Sequence, residues 1–259
     1  MAQSRAVLFR MLALSRSNGE NLPSVMSSTS VKVDPNSRHR VRVVLDTDTY
    51  NEVDDQFALA HLLLSPNQVE LEAVYAAPFK NPRSSSPEDG MEKSYREILR
   101  VIELVGKSPR DGVRRGSTAF LKNPDKPIDS PAARDLVQRA LAPAEGPLYV
   151  CAIAAITNVA SALLLEPKIA ERIKIVWLGG HAPYWSDTRE FNLEQDIHAS
   201  RIVLESTAPL VQIPCVPVAS HMITTVPELE THLAPFSRLG RYLTDIVQPT
   251  REILPSGRK

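Results

Sequence analysis

Cysteine is scarce. Cys151 and Cys215 are the only two in 259 residues, 64 apart and each inside an apolar run. That excludes both a disulfide framework and a cysteine-based zinc site. Excess charge of either sign is also lacking: 30 Lys and Arg offset 30 Asp and Glu, and the pI lies near 7. Neutrality gives no electrostatic reason to expect nucleic acid or an anionic membrane as the main partner. No stretch approaches the roughly 18 uninterrupted apolar residues of a membrane helix. What remains, 43% hydrophobic and 23% charged, suits a globular chain with a sizeable core.

The first forty residues differ from the rest. Residues 1–19 carry Arg5, Arg10 and Arg16 with Ser4, Ser15 and Ser17, and no acid. Two readings fit: a mitochondrial targeting peptide, or a disordered extension through Arg40 on a cytoplasmic protein. From Val41 strands and helices alternate. Runs 41–45, 69–77, 147–154 and 173–180 read as strands, and 210–218 as extended. Runs 55–65, 91–106, 157–167 and 196–206 read as helices, with a loop over 78–90. This alternation predicts one α/β domain over 41–259, an open, mainly parallel, Rossmann-like sheet flanked by helices.

The stretch LDTDTYNEVDDQFAL is the most informative. Asp46, Asp48, Glu52, Asp54 and Asp55 crowd into ten residues, and no Lys or Arg occurs from Val43 to Phe79. Carboxylates crowded at a strand end raise one another's pKa unless a cation binds. Ligands bind at the carboxyl ends of such strands, and a hard ion, calcium or magnesium, takes oxygen donors. Helix capping would explain Asp54 or Asp55 but not five acids. An EF-hand needs Gly and Glu where Asn51 and Phe57 stand. A phosphatase with an aspartyl nucleophile would use Asp46 and Asp48 and leave the Asp54–Asp55 pair without a role.

Strand, DTD, short loop, then DD opening a helix resembles the metal-binding motif of the inosine-uridine nucleoside hydrolases, with a loop two residues longer. Two later segments are similar to the same family in the same order: AIAAITNVASALLLEP (152–167), and VWLGGHAPYWSDTREFNLEQDIHASRIVLES (176–206). The resemblance implies an open α/β fold and calcium-dependent hydrolysis of the N-glycosidic bond of ribonucleosides. It implies that Asp48, Asp55 and the Thr157 carbonyl ligate Ca2+, and that Asp48 is the general base. Asp54, Glu190 and Asn192 would bind ribose hydroxyls, and Asn81 the substrate. Asp46 would orient Asp48 or a ligand from behind.

The family also places a last calcium-ligating Asp near its C-terminus. Here Asp245 and Glu252 are the final acids, Asp245 in a run that reads as helix. The C-terminal part is therefore expected to be missing, and the rival reading is a catalytically silent, ribonucleoside-binding or scaffold relative. His181 and Trp185, after the GG turn, are candidates to face a base. Homo-oligomers are common in the family, and no residue of this sequence demonstrates one.

Overall fold

A computed structural model describes residues 40–247; the readings of residues 1–39 and of Glu252 fall outside that range. Six strands form one sheet: β1 (Val41–Thr47), β2 (Val69–Ala76), β3 (Val113–Arg115), β4 (Leu148–Ala152), β5 (Ile173–Leu178) and β6 (Leu210–Ile213). Every pairing is parallel, in the order β3-β2-β1-β4-β5-β6. From β1 the chain builds outward through β2 to β3, then crosses back to β4 and builds the other way. The reversal lies between β1 and β4, where the loops leaving their carboxyl ends diverge and leave a crevice.

Helices cover both faces. The inner strands β1, β2, β4 and β5 are largely buried, as a covered parallel sheet requires, and the edge strands β3 and β6 are more open. Val43 and Leu45 of β1 face α1 (Asp54–Leu64), α2 (Pro87–Val105) and α8 (Arg238–Val247). Val44, between them, faces the opposite cluster with α3 (Pro131–Leu141), α4 (Thr157–Leu165) and α6 (Ile197–Glu205). Short helices α5 (Phe191–Glu194) and α7 (Val226–His232) complete the set. Among the described residues no helix is long and apolar enough to cross a membrane.

Several boundaries depart from the sequence reading for local reasons. Strand β1 continues through Thr47, so Asp46 is a strand residue paired beside Tyr75 and Ala152 rather than part of the turn. Helix α2 begins at Pro87, not at 91. Ser86 accepts from the Asp89 N–H, Pro87 occupies the first turn, and Glu88 and Asp89 favour the positive end of the helix dipole. Extended structure after 209 ends at Ile213, and the main chain turns back on itself through 214–219. Asp54 and Asp55 do not cap α1; Val53 precedes it without a side-chain cap bond, so capping accounts for neither acid.

Leu45 is fully buried between the helices of one face. Leu45→Ala is expected to cost about 2–5 kcal/mol of stability through the cavity it leaves, measured by urea denaturation. A loss under about 1 kcal/mol would contradict this packing.

Candidate active site

The last residues of β1 carry acids into the crevice because the strand alternation allows it: Asp46 lies inside the sheet, and Asp48 follows the strand. Both are essentially inaccessible to water. The Asp48 carbonyl accepts the Asn51 N–H at 2.6 Å, folding the acidic loop tightly, so that α1 starts with Asp54 and Asp55 beside Asp48. Asp48, Asp54 and Asp55 then line one cavity of about 200 Å³ together with Asn51, Glu52, Glu190 and Asn192. His181, Arg189, Phe191, Cys215, Ile153 and Leu178 complete its wall.

Elsewhere the chain neutralises a buried acid with cations. Glu72, equally inaccessible, meets Arg42 at 2.6 Å, Arg110 at 3.2 Å and Arg139 at 3.4 Å. Asp46, Asp48 and Asp55 have no such arrangement among the described residues. One oxygen of Asp48 and one of Asp46 are buried with no hydrogen-bond partner. Burial pushes the Asp48 carboxyl well above its usual range, and the neighbouring charges of Asp55, Asp54, Glu52 and Asp46 push it further. Burial and the Asp54 charge raise Asp55 likewise, against a hydrogen bond from Thr47 Oγ1. Desolvation raises Asp46 to about 7, opposed by the bond from Asn158.

The remaining candidates divide between the cavity and its frame. Glu190 caps α5: its Oε2 accepts the Gly180 N–H at 2.7 Å and the Leu193 N–H at 3.0 Å, and burial raises its pKa. Asn192 spends its amide N–H groups on the carbonyls of Leu178 (3.0 Å) and Ile153 (3.2 Å), which leaves Oδ1 as the atom free of those bonds. Asp46, Thr157 and Asn81 do not line the cavity. Asp46 Oδ1 accepts from Asn158 Nδ2 at 2.8 Å, and Asn158 is locked in turn by the Ser117 N–H and hydroxyl at 2.7 and 2.9 Å. Gly116 beside it has no room for a Cβ, which would overlap the Ala76 carbonyl and the Asn158 amide. The Thr157 hydroxyl donates to Asp196 at 2.8 Å, and Asp196 also caps α6. Asn81 donates to Asn51 Oδ1 at 2.6 Å, and Arg83 to the Asn51 carbonyl at 3.0 Å. The structure thus uses Asn81 to hold a cavity residue rather than to line the cavity. Asn51 and Asp196 were missed as named candidates; each depends on a partner 30 or 39 residues away, beyond any local pattern. Trp185 is part-exposed and outside the cavity, and Asp245 sits on α8 beside a different surface hollow.

The oxygen-only donors around Asp48 and Asp55 suit a hard cation by chemistry, and the partnerless Asp48 oxygen is the atom such an ion would compensate. Among the described residues, no group of three His, Cys, Asp or Glu forms a metal-holding set by itself.

A family model described as inosine-uridine preferring nucleoside hydrolase matches residues 43–254. The chain belongs to this family. Its relatives in the nucleoside hydrolase family include the pyrimidine-specific ribonucleoside hydrolase RihA of Escherichia coli O81, 26% identical over 192 residues, 65% of this chain and 58% of the relative. The Salmonella paratyphi B counterpart is 28% identical over 193 residues, with the same coverage. The chain therefore spans 58% of the length of these curated relatives. The solved purine-preferring ribonucleoside hydrolase of Gardnerella vaginalis aligns with a TM-score of 0.61 at 25% identity, covering 80% of this chain and 71% of that one. The inosine-uridine preferring enzyme of Bacillus anthracis, at 22% identity and a TM-score of 0.57 over 80% and 76% of the two chains, shares the fold.

Asp46 yields a pH prediction. Its carboxyl titrates near 3.8 when exposed and near 7 in the fold, so between these values the folded state holds the extra proton. Its contribution to stability is therefore present at acid pH and lost as pH rises towards 7. With chelator present, the melting temperature of Asp46→Asn should fall less than that of the unsubstituted chain between pH 4 and 7. Parallel pH profiles would contradict the assignment.

Proposed function

We propose that this chain hydrolyses the N-glycosidic bond of ribonucleosides to free base and ribose, with a bound calcium ion. The observation that carries the reading is the Asp48 carboxylate, buried, with a partnerless oxygen, in a cavity otherwise bounded by Asp54, Asp55, Glu190 and Asn192. Family membership supports the reaction class. The named relatives act on pyrimidine and on purine ribonucleosides respectively, so neither base class transfers from them.

The chemistry divides among the residues. As the C1′–N bond breaks, its electron pair leaves with the base, and positive charge develops on the ribose ring. Carboxylates in a water-poor cavity favour that charge far more than they would in water. Asp48 accepts the proton of the water that adds to C1′. Asp54 and Glu190 accept hydrogen bonds from ribose hydroxyls, and Asn192 offers its Oδ1, its N–H groups being held by Ile153 and Leu178. Asp48 and Asp55, which line the cavity, would hold the calcium ion. When bound, that ion supplies the charge that keeps the acids ionised and makes a bound water more acidic. Asp46, fixed by Asn158, braces the end of β1 from behind.

A second reading is ribonucleoside binding without turnover. Affinity for calcium follows the count of charged ligands. Release of ribose from purine and pyrimidine nucleosides separates the two. Calcium-dependent release is expected, abolished by chelator and lowered about 100-fold or more in kcat/KM by Asp48→Ala. Binding without release would favour the second reading, and release indifferent to both changes would overturn the mechanism.

A further inference from the structure

Hydrolysis explains the acids that line the cavity and leaves other polar residues of its lining without a role. Ribose offers hydroxyl donors, which suit carboxylates; a nucleobase edge also offers acceptors, which carboxylates cannot satisfy. A donor is therefore wanted from the rest of the lining. Outside the acidic loop and the Glu190–Asn192 segment, the lining residues whose side chains carry polar hydrogens are His181, Arg189 and Cys215. Arg189 is mostly exposed and paired with Asp187 through two contacts of 3.2 Å. Cys215 has a thiol, at best a weak donor. His181 remains.

The mounting of His181 fixes what it presents. Gly180, in the left-handed conformation at φ +74°, turns the chain immediately before it. The Gly180 N–H is held by Glu190, and its carbonyl accepts the Cys215 N–H at 2.8 Å. The Ala182 N–H donates to the Val216 carbonyl at 2.9 Å, so the residues on both sides of His181 are tied down. The ring is oriented as well: the Val216 N–H donates to His181 Nδ1 at 3.2 Å. A main-chain N–H can only donate, so Nδ1 is an unprotonated acceptor, and the neutral imidazole carries its hydrogen on Nε2. Nε2–H is then the one polar atom this side chain has left for the cavity.

We infer that His181 is the specificity-determining residue for the base, its Nε2–H donating to an acceptor on the nucleobase edge. The inference rests on the proposed ribonucleoside site and deepens it. A base bearing a carbonyl at that edge is bound; one bearing an amino group sets two donors against each other and is disfavoured.

The test uses a matched pair of C-nucleosides, formycin B with a carbonyl and formycin A with an amino group. Their carbon–carbon linkage cannot be hydrolysed, so dissociation constants are read by calorimetry on the calcium-loaded full chain, with free ribose as a third ligand. The unsubstituted chain is expected to prefer formycin B about tenfold, the order of one good hydrogen bond. His181→Ala should abolish the preference while leaving ribose affinity unchanged, and His181→Gln, which restores a donor, should recover part of it. No preference in the unsubstituted chain, or one that survives in a folded His181→Ala that still binds ribose, would overturn the inference and leave the ribonucleoside site standing. Failure of all three ligands to bind the unsubstituted chain would overturn that site and this inference with it.

Discussion

Carboxyl groups crowded at the end of β1, in a stretch with no Lys or Arg, are the constraint on which the rest of the structure turns. Moving a carboxylate out of water costs several kcal/mol unless it is paired or takes up a proton. The protein meets that cost with arginines at Glu72, yet leaves an oxygen of Asp48 and one of Asp46 buried with no partner. The surrounding frame keeps these acids together instead of relieving them. Asn158 pins Asp46, Thr47 pins Asp55, and the Asn51 N–H closes the loop onto Asp48. Such strain persists where the surroundings over-determine it and where function uses it.

The sheet topology explains why this happens at one place. Reversal of strand order between β1 and β4 opens a crevice at their carboxyl ends, and the GG turn after β5 brings Glu190 and Asn192 to the same opening. Their side chains are spent partly on main-chain groups of Gly180, Leu193, Ile153 and Leu178. Glu190 and Asn192 are thus held by main-chain groups at the sheet ends, an arrangement that would organise a site before its ligand arrives.

Much of this was legible from local pattern. Alternating strands and helices foretold the parallel sheet, and four of the five crowded acids, Asp48, Glu52, Asp54 and Asp55, line the cavity. What escaped was contact across distance. Asn51 depends on Asn81 and Arg83, Thr157 on Asp196, and His181 on Val216, and in each case the partners are 30 or more residues apart. Nothing in a polar loop residue says which of two loops it will face. Asn81 illustrates the limit: its amide is turned onto Asn51. The start of α2 was a missed signal rather than a hidden one, since Ser86, Pro87, Glu88 and Asp89 form a readable helix opening.

Proton release on calcium binding tests the central claim most directly. Calorimetric titration near pH 6, repeated in buffers of different ionisation enthalpy, counts the protons displaced. If the acids of the cavity are held protonated by burial and mutual repulsion, as Asp46, Asp48 and Asp55 are placed to be, calcium should bind and expel protons, fewer in Asp48→Asn. Binding without proton release, or no binding heat at all, would contradict the account.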